Sequence, residues 1–429
     1  MNPRHAHANP PRLFWLSALI AVLALALMAP GFAAAKQRVH DGKSLAANQG
    51  QAQSKGHAHG KGHAHGKGQA QGTNQGRGKV ANVMTRNLYL GANLTPAIGA
   101  PDLQALAAAN GQILREVTAN NFPVRAKGLA AEILQTKPDL VGLQEVALWR
   151  TAPPSIAPLQ TGPSAMTVRH DYLRELLDEL NRGKGKNGKG KPQYRVVVVQ
   201  QEFDLEAPAD ENGVAGDGVP AQGIPDAEIN GRLTMRDVIL ARHGAGVQTW
   251  NEQGDNFDTL LSVPILGTPL PIARGWTATD AKVRGTHAFR FVNTHLEAFH
   301  PGIRQAQAAE LVDADGPATS SLPVVLLGDL NSDDDTVAGP DRLAYETLLA
   351  AGMVNRSTDD PLSCCLDSSL LAVGGGGSIA DFDHQVDHIL TRDPETVGLV
   401  SSTVTGLQPV NGFWNSDHAG VFSALSFSR

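Results

Sequence analysis

Cysteine is almost absent from the 429-residue chain, which has only Cys364 and Cys365, side by side. That scarcity excludes the cross-linked framework of a small secreted domain, so stability has to come from a core. Adjacent cysteines leave three readings open: a vicinal disulfide, strained because neighbouring Cα atoms sit closer than a disulfide favours; two thiols; or a pairing between chains. No cysteine follows the apolar run from Leu13 to Ala29, so lipid attachment there is unsupported. The run is also short for a bilayer.

Large apolar residues are scarce from Lys36 to Lys79, where Gln, Gly, Ala, Lys and His dominate and KGHAHG occurs twice in tandem from Lys55. Such a stretch cannot bury enough surface to fold, so residues 36–79 read as a disordered linker. His57, His59, His63 and His65 could loosely chelate zinc, copper or nickel, but a solvated linker is the plainer reading. Positive charge is short in the remainder. Ten of 36 Lys/Arg precede residue 80, beside one acid, Asp41; this leaves 26 basic against 41 acidic residues, a net of −15. That is a poor footprint for tight, salt-sensitive DNA binding. It does not exclude DNA hydrolysis, because carboxylates also hold catalytic metals.

Before the linker, Arg4 and Arg12 precede the apolar run, and Phe32-Ala33-Ala34-Ala35 follows it with small residues placed for cleavage. Residues 1–35 therefore predict a secretory signal peptide and a secreted or periplasmic destination, with a retained anchor as the rival.

From Val80 to Arg429 the texture is that of one large folded domain. Strands are expected at Val80–Thr85, Leu140–Gln144, Tyr194–Gln200, Val238–Ala241, His287–Thr294 and Val324–Leu327. Helices are expected at Asp102–Ala119, Pro123–Gln135, Asp171–Leu180, Ile303–Val312 and Leu343–Ala350. The mixture suggests an α/β fold of two packed sheets flanked by helices. Two loops stand out. Asn181–Lys191 is a basic, Gly-rich insertion that could touch nucleic-acid phosphates or simply be solvated. Leu260–Trp276 is apolar and Pro-punctuated: a buried hairpin, or an exposed lip for lipid.

Several strand-like runs end in a polar group, where α/β folds gather catalytic side chains. They are Asn87, Glu145, His295, Asp329 with Asn331, Asp387 with His388, and Asp417 with His418. Any one alone is more often a cap or turn residue. Together they supply hard oxygen ligands and histidines able to move protons near neutral pH, which suits metal-assisted phosphoryl transfer to water. Asp237, in MRDVIL, is a weaker candidate, equally readable as a satisfied strand-end acid. His300, His384 and His388 read as surface or supporting residues.

The order TRNL, LQEV, NTHL, GDLNSD, QVDHIL and WNSDH resembles the endonuclease/exonuclease/phosphatase superfamily, over essentially all of Val80–Arg429. The resemblance implies a pancreatic-deoxyribonuclease-like fold: a four-layer sandwich of two packed mixed β-sheets flanked by helices. It implies Mg²⁺ or Mn²⁺, with Glu145 as direct ligand, Asn87 beside it and Asp417 as a further ligand. Asp329 and Asn331 match the pair that positions the attacking water and a phosphate oxygen. His418 matches the general base or phosphate stabiliser, Asp387 its orienting carboxylate, and His295 the second histidine, which stabilises the pentavalent phosphorus or protonates the leaving oxygen.

The expected function is hydrolysis of a phosphoester by in-line attack of water, most simply as a phosphodiesterase or nuclease. A sphingomyelinase-like or phospholipase C-like enzyme, with transient membrane contact, is the alternative. A non-hydrolysing ligand-binding relative would be expected to lack Glu145, Asp329, Asn331 or His418, and all four are present. No stable protein partner is implied.

Overall fold

A computed structural model describes residues 79–428, apart from 184–192, 215, 218–225, 245, 335–338, 358–361 and 373–376. The expectations of a leader in residues 1–35 and of a His-rich linker lie outside the described residues, as does most of the basic insertion Asn181–Lys191. The first strand opens at Lys79, one residue into the span expected to be linker.

Two mixed sheets face each other. The first has eight strands, running in order Val397–Thr405, Gly420–Phe427, Lys79–Asn87, Leu140–Gln144, Ile229–Arg242, Leu148–Ala152 and Thr167–Asp171, with Tyr194–Ala209 also paired to Ile229–Arg242. The second has six, in order Val354–Asn355, Asp387–Thr391, Val324–Asp329, Phe289–His295, Gly275–Val283 and Val247–Asn256. Ala81, Val83, Leu140 and Ile239 of the first sheet meet Phe289, Phe291, Val325 and Ile389 of the second in one buried cluster. Alternation along each strand frees the opposite faces for helices. Leu103–Ala119, Phe122–Thr136 and Tyr172–Leu180 pack on the first sheet through Leu106, Leu114, Leu129 and Leu176. Pro301–Val312 and Leu343–Ala350 cover the second through Ala308, Leu311 and Leu348. The result is the expected sandwich of helices, sheet, sheet and helices.

Local chemistry sets the helix limits. The Asp102 side chain caps the first helix, accepting from Ala105 N at 2.8 Å. Pro123 sits in the first turn of the next, where its missing N–H costs nothing, and Lys137 closes that helix in the left-handed region at φ 54°. The apolar stretch after Leu260 is a hairpin of Leu261–Ile265 with Thr268–Ile272. Its Val263 and Ile265 are buried in the helix-side core, which corrects the lipid-lip reading of those side chains. The exposed positions are Ser262, Pro264, Leu266, Gly267, Thr268, Pro269 and Pro271.

Topology places the chemistry. Lys79–Asn87 runs parallel to Leu140–Gln144 with Asn87 opposite Gln144, so Asn87 and Glu145 leave the first sheet at one end. Phe289–His295 runs parallel to Val324–Asp329 with His295 opposite Asp329, and Asp387 pairs with Asp329 from the other side. The carboxyl ends of parallel strands from both sheets thus open at one edge.

Candidate active site

Gly328 lets Asp329 reach His295. Its φ is 152°, and a Cβ there would lie 1.9 Å from Thr294 O on the neighbouring strand, closer than atoms can pack. The GD pair of LLGDLNSD is therefore a backbone requirement as well as a chemical one.

Asp329 is the hub. Its Oδ2 accepts from Asn87 Nδ2 at 2.9 Å, and its Oδ1 accepts from Asn331 N at 2.9 Å. The same Oδ2 lies 3.4 Å from His295 Nε2 and 3.7 Å from His418 Nε2. His418 turns Nδ1 to Asp387 Oδ2 at 2.8 Å. Asn87, His295, Asp329, Asp387 and His418 are all buried and mutually linked. Asn331, at φ 47°, donates from its side-chain amide to Leu296 O at 3.0 Å, bracing the loop beside His295. Asn87 Oδ1 accepts from Tyr89 N at 2.8 Å, so that amide positions both the loop and Asp329.

Glu145, at φ 54°, accepts from Leu90 N through Oε2 at 2.7 Å, while Oε1 accepts from no described residue. Burial raises its pKa, with Arg274 pulling the other way. Burial also pushes Asp417 up to about 6, and the nearby Glu145 adds to the shift. Ser416 Oγ donates to Asp417 Oδ1 at 3.3 Å. Two buried carboxylates with raised pKa values, one of them with an open oxygen, form a donor set suited to a hard divalent cation.

Asp329 is raised to about 6 by burial, which His418 partly offsets. For His418, burial favours the neutral ring, but Asp387, Asp329 and Asp417 outweigh it and hold the imidazolium well above the usual range. His295 is held well below it by burial, with the Arg274 guanidinium and His418 adding to the effect.

Arg274, Glu202 and Arg125 carried no motif that marked them, and Arg86, though it lies within TRNL, was not singled out. Arg274 Nη1 donates to His295 Nδ1 at 2.9 Å. The same Nη1 lies 3.4 Å from Nε2; a guanidinium cannot accept, so the closer Nδ1 is the acceptor and the neutral ring carries its proton on Nε2, which faces Asp329. Asp237, the weaker candidate, lies with Glu202 and His295 in one buried group. None of the four oxygens of Glu202 and Asp237 meets a described donor in hydrogen-bonding geometry. Arg125 is fully buried and donates to Leu88 O, Asn415 O and Tyr89 O at 2.8, 3.0 and 3.1 Å, clamping the Asn87 loop to the WNSDH loop. Arg86 joins the same loops through Asn87 O and His418 O. Of the residues expected to be supporting, His388 is buried and bonds Ser332 O at 2.9 Å, and His300 caps a helix by accepting from Ile303 N. His384 is exposed and pairs with Asp383. Cys364 and Cys365 are bonded to each other at the rim.

Among solved structures, the chain is similar to an endonuclease/exonuclease/phosphatase family protein from Bacteroides thetaiotaomicron, with 14% identity over 82% of this chain and 100% of that one and a TM-score of 0.46. Truncated TDP2 from Caenorhabditis elegans gives 16% identity, 81% and 98% coverage and a TM-score of 0.42. D. rerio TDP2 complexed with single strand DNA product gives 14%, 81% and 99%, and 0.43. A search of the curated proteins finds no match to this chain. The model of the Endonuclease/Exonuclease/phosphatase family matches residues 109–418, a span that holds Glu145, His295, Asp329, Asp387 and His418. With most of its length matched and these side chains gathered at one edge of a two-sheet sandwich, the chain belongs to the endonuclease/exonuclease/phosphatase family.

Proposed function

We propose that the chain is a divalent-metal-dependent phosphodiesterase or nuclease. The observation that carries this reading is the single buried network Asn87–Asp329–His418–Asp387, with His295 on the far side of Asp329. Glu145 and Asp417, with Asn87 beside them, would hold Mg²⁺ or Mn²⁺; when bound, the ion supplies positive charge against the phosphoryl oxygens. The remaining steps belong to the protein. Asp329, its geometry fixed by Asn87 and the Asn331 backbone, orients the attacking water and accepts its proton. His418, held as imidazolium by Asp387, donates to a phosphoryl oxygen as negative charge develops there. His295, with its proton on Nε2, donates from the opposite side. A phosphodiester of nucleic acid is the favoured substrate class, because burial of Val263 and Ile265 removes the main support for a lipid-facing lip. We place the working enzyme outside the cytoplasm on the leader-like pattern of residues 1–35.

The test is the full chain stripped with EDTA and assayed against plasmid DNA, RNA, sphingomyelin and a chromogenic phosphodiester. Activity should vanish with EDTA and return with Mg²⁺ or Mn²⁺, on a nucleic acid more than on sphingomyelin. Full turnover in chelator would sink the metal-dependent reading, and preferential cleavage of sphingomyelin would replace the nuclease.

A further inference from the structure

The only cysteines in the chain sit against the catalytic histidine. Three backbone-linked contacts bring their segment there: Ala419 N donates to Ser363 O at 2.7 Å, Leu366 N to Asp417 O at 2.9 Å, and Asp387 N to Ser363 Oγ at 3.2 Å. Cys364 is buried with its Sγ 3.7 Å from His418 Nε2, while Cys365 faces solvent. Both sulfurs and a nitrogen of His418 lie within 4.8 Å of one another.

We propose that, once the Cys364–Cys365 bond is reduced, the two thiolates and His418 Nε2 form a binding site for a soft divalent cation of the Zn²⁺ class, and that filling it withdraws His418 from catalysis. The donor chemistry favours this. Tetrahedral zinc holds sulfur at about 2.3 Å and imidazole nitrogen at about 2.0–2.1 Å, which separates the two donors by about 3.6 Å. The observed 3.7 Å matches without rearrangement of the His418 ring. Nδ1 of His418 is engaged by the Asp387 carboxylate, the arrangement that fixes Nε2 as the metal-facing atom and strengthens it as a ligand. Thiolates select soft cations, so this site is chemically distinct from the all-oxygen set at Glu145 and Asp417.

The steps balance. A dithiol or phosphine reductant delivers two electrons, and two protons complete the opening of the sulfur–sulfur bond to two thiols; exposure of Cys365 gives the reductant access. Cation binding then releases the two thiol protons, and the Nε2 lone pair of His418 goes to the metal in place of a proton. The bonded cysteine pair has no thiolate to offer, so the oxidised chain lacks the site. The inhibitory consequence rests on the proposed role of His418; the binding itself does not.

The full chain, reduced with a phosphine and freed of metal, would be titrated with Co²⁺ as a spectroscopic stand-in for zinc. A near-ultraviolet sulfur-to-cobalt charge-transfer band should grow to saturation at a single class of site and be displaced by Zn²⁺. Imidazole alone gives no such band, so the histidines at positions 57–65 do not contribute. Cys364→Ser combined with Cys365→Ser should abolish it, and oxidised wild type, which needs no substitution to fold, should lack it. His418→Asn should weaken Co²⁺ binding about tenfold or more while the sulfur band persists at higher metal. Zn²⁺ should inhibit Mg²⁺-supported hydrolysis at about tenfold or more lower concentration in the reduced wild type than in the oxidised one. Absence of the band from the reduced wild type, or Co²⁺ affinity unchanged by His418→Asn, would overturn the site. Equal zinc inhibition of both redox forms would overturn its inhibitory role. If no substrate is hydrolysed at all, the proposed function fails and the cobalt spectrum still decides the site.

Discussion

On one side of Asp329, His418 turns Nδ1 to the Asp387 carboxylate at 2.8 Å; on the other, His295 turns Nδ1 to the Arg274 guanidinium at 2.9 Å. Both rings are buried and both face the same carboxylate with Nε2. Their charges are set in opposite directions. Carboxylates around His418 overcome its burial and favour the imidazolium, whereas burial and a guanidinium keep His295 neutral. Two residues of one type thus give the site one cationic and one neutral proton donor, a distinction made by the charges gathered around each buried ring.

The strongest way to break this comparison is to remove its shared centre. Asp329→Ala or His418→Ala should each lower turnover on a phosphodiester by about a hundredfold or more, roughly 2.7 kcal/mol of barrier, with the fold intact by circular dichroism. Turnover of Asp329→Ala at the wild-type rate would show that the chemistry lies elsewhere.

A smaller effect separates the two histidines. Activity should rise as pH climbs through about 6, where Asp329 loses its proton, and fall as pH rises through the elevated pKa of His418, where the imidazolium is lost. Asp387→Asn removes the largest influence holding that pKa up, so the alkaline limb should move to lower pH and turnover should drop on the order of tenfold to a hundredfold. Arg274→Gln should instead raise the pKa of His295, read by NMR titration, and leave the alkaline limb in place. If both substitutions move the same limb, the histidines are not independently set.

Much of this comparison was legible in the sequence. His418, Asp387, His295 and Asp329 each end a run of strand character or sit in a short motif, and the parallel pairing of strands brings such ends together. Strands buried on both faces, such as Leu140–Gln144, announce themselves by nearly continuous apolar residues. The edge strand Val247–Asn256 does not, because its residues are mostly exposed and polar. Arg274 and Arg125 escaped because nothing local marks a buried arginine: Arg125 lies on an ordinary helix and meets its carbonyls only when two distant loops close over it. Cys364 was read only for its neighbour in sequence, and its approach to His418, 54 positions away, exists only in the fold.

The smallest expected effect tests whether the group behind His295 works in the chemistry or is merely housed there. Glu202 and Asp237 bury four carboxylate oxygens without described donors, and burial pushes Glu202 up to about 7 from 4.5. A carboxyl whose pKa is raised by folding binds its proton more tightly in the native state. Wild type should therefore be fully favoured below about 4.5 and lose stability as pH rises towards about 7. Glu202→Gln has no proton to lose, and the introduced amide can donate to Asp237. It should raise stability by about 1–3 kcal/mol above neutral pH, with the gain fading below the acid limit, while turnover stays within about threefold of wild type. Urea unfolding at two pH values and steady-state rates measure both. A rate loss beyond tenfold would mean that the charge at Glu202 acts on His295 through Arg274, and the two sides of Asp329 would then each be driven by a carboxylate.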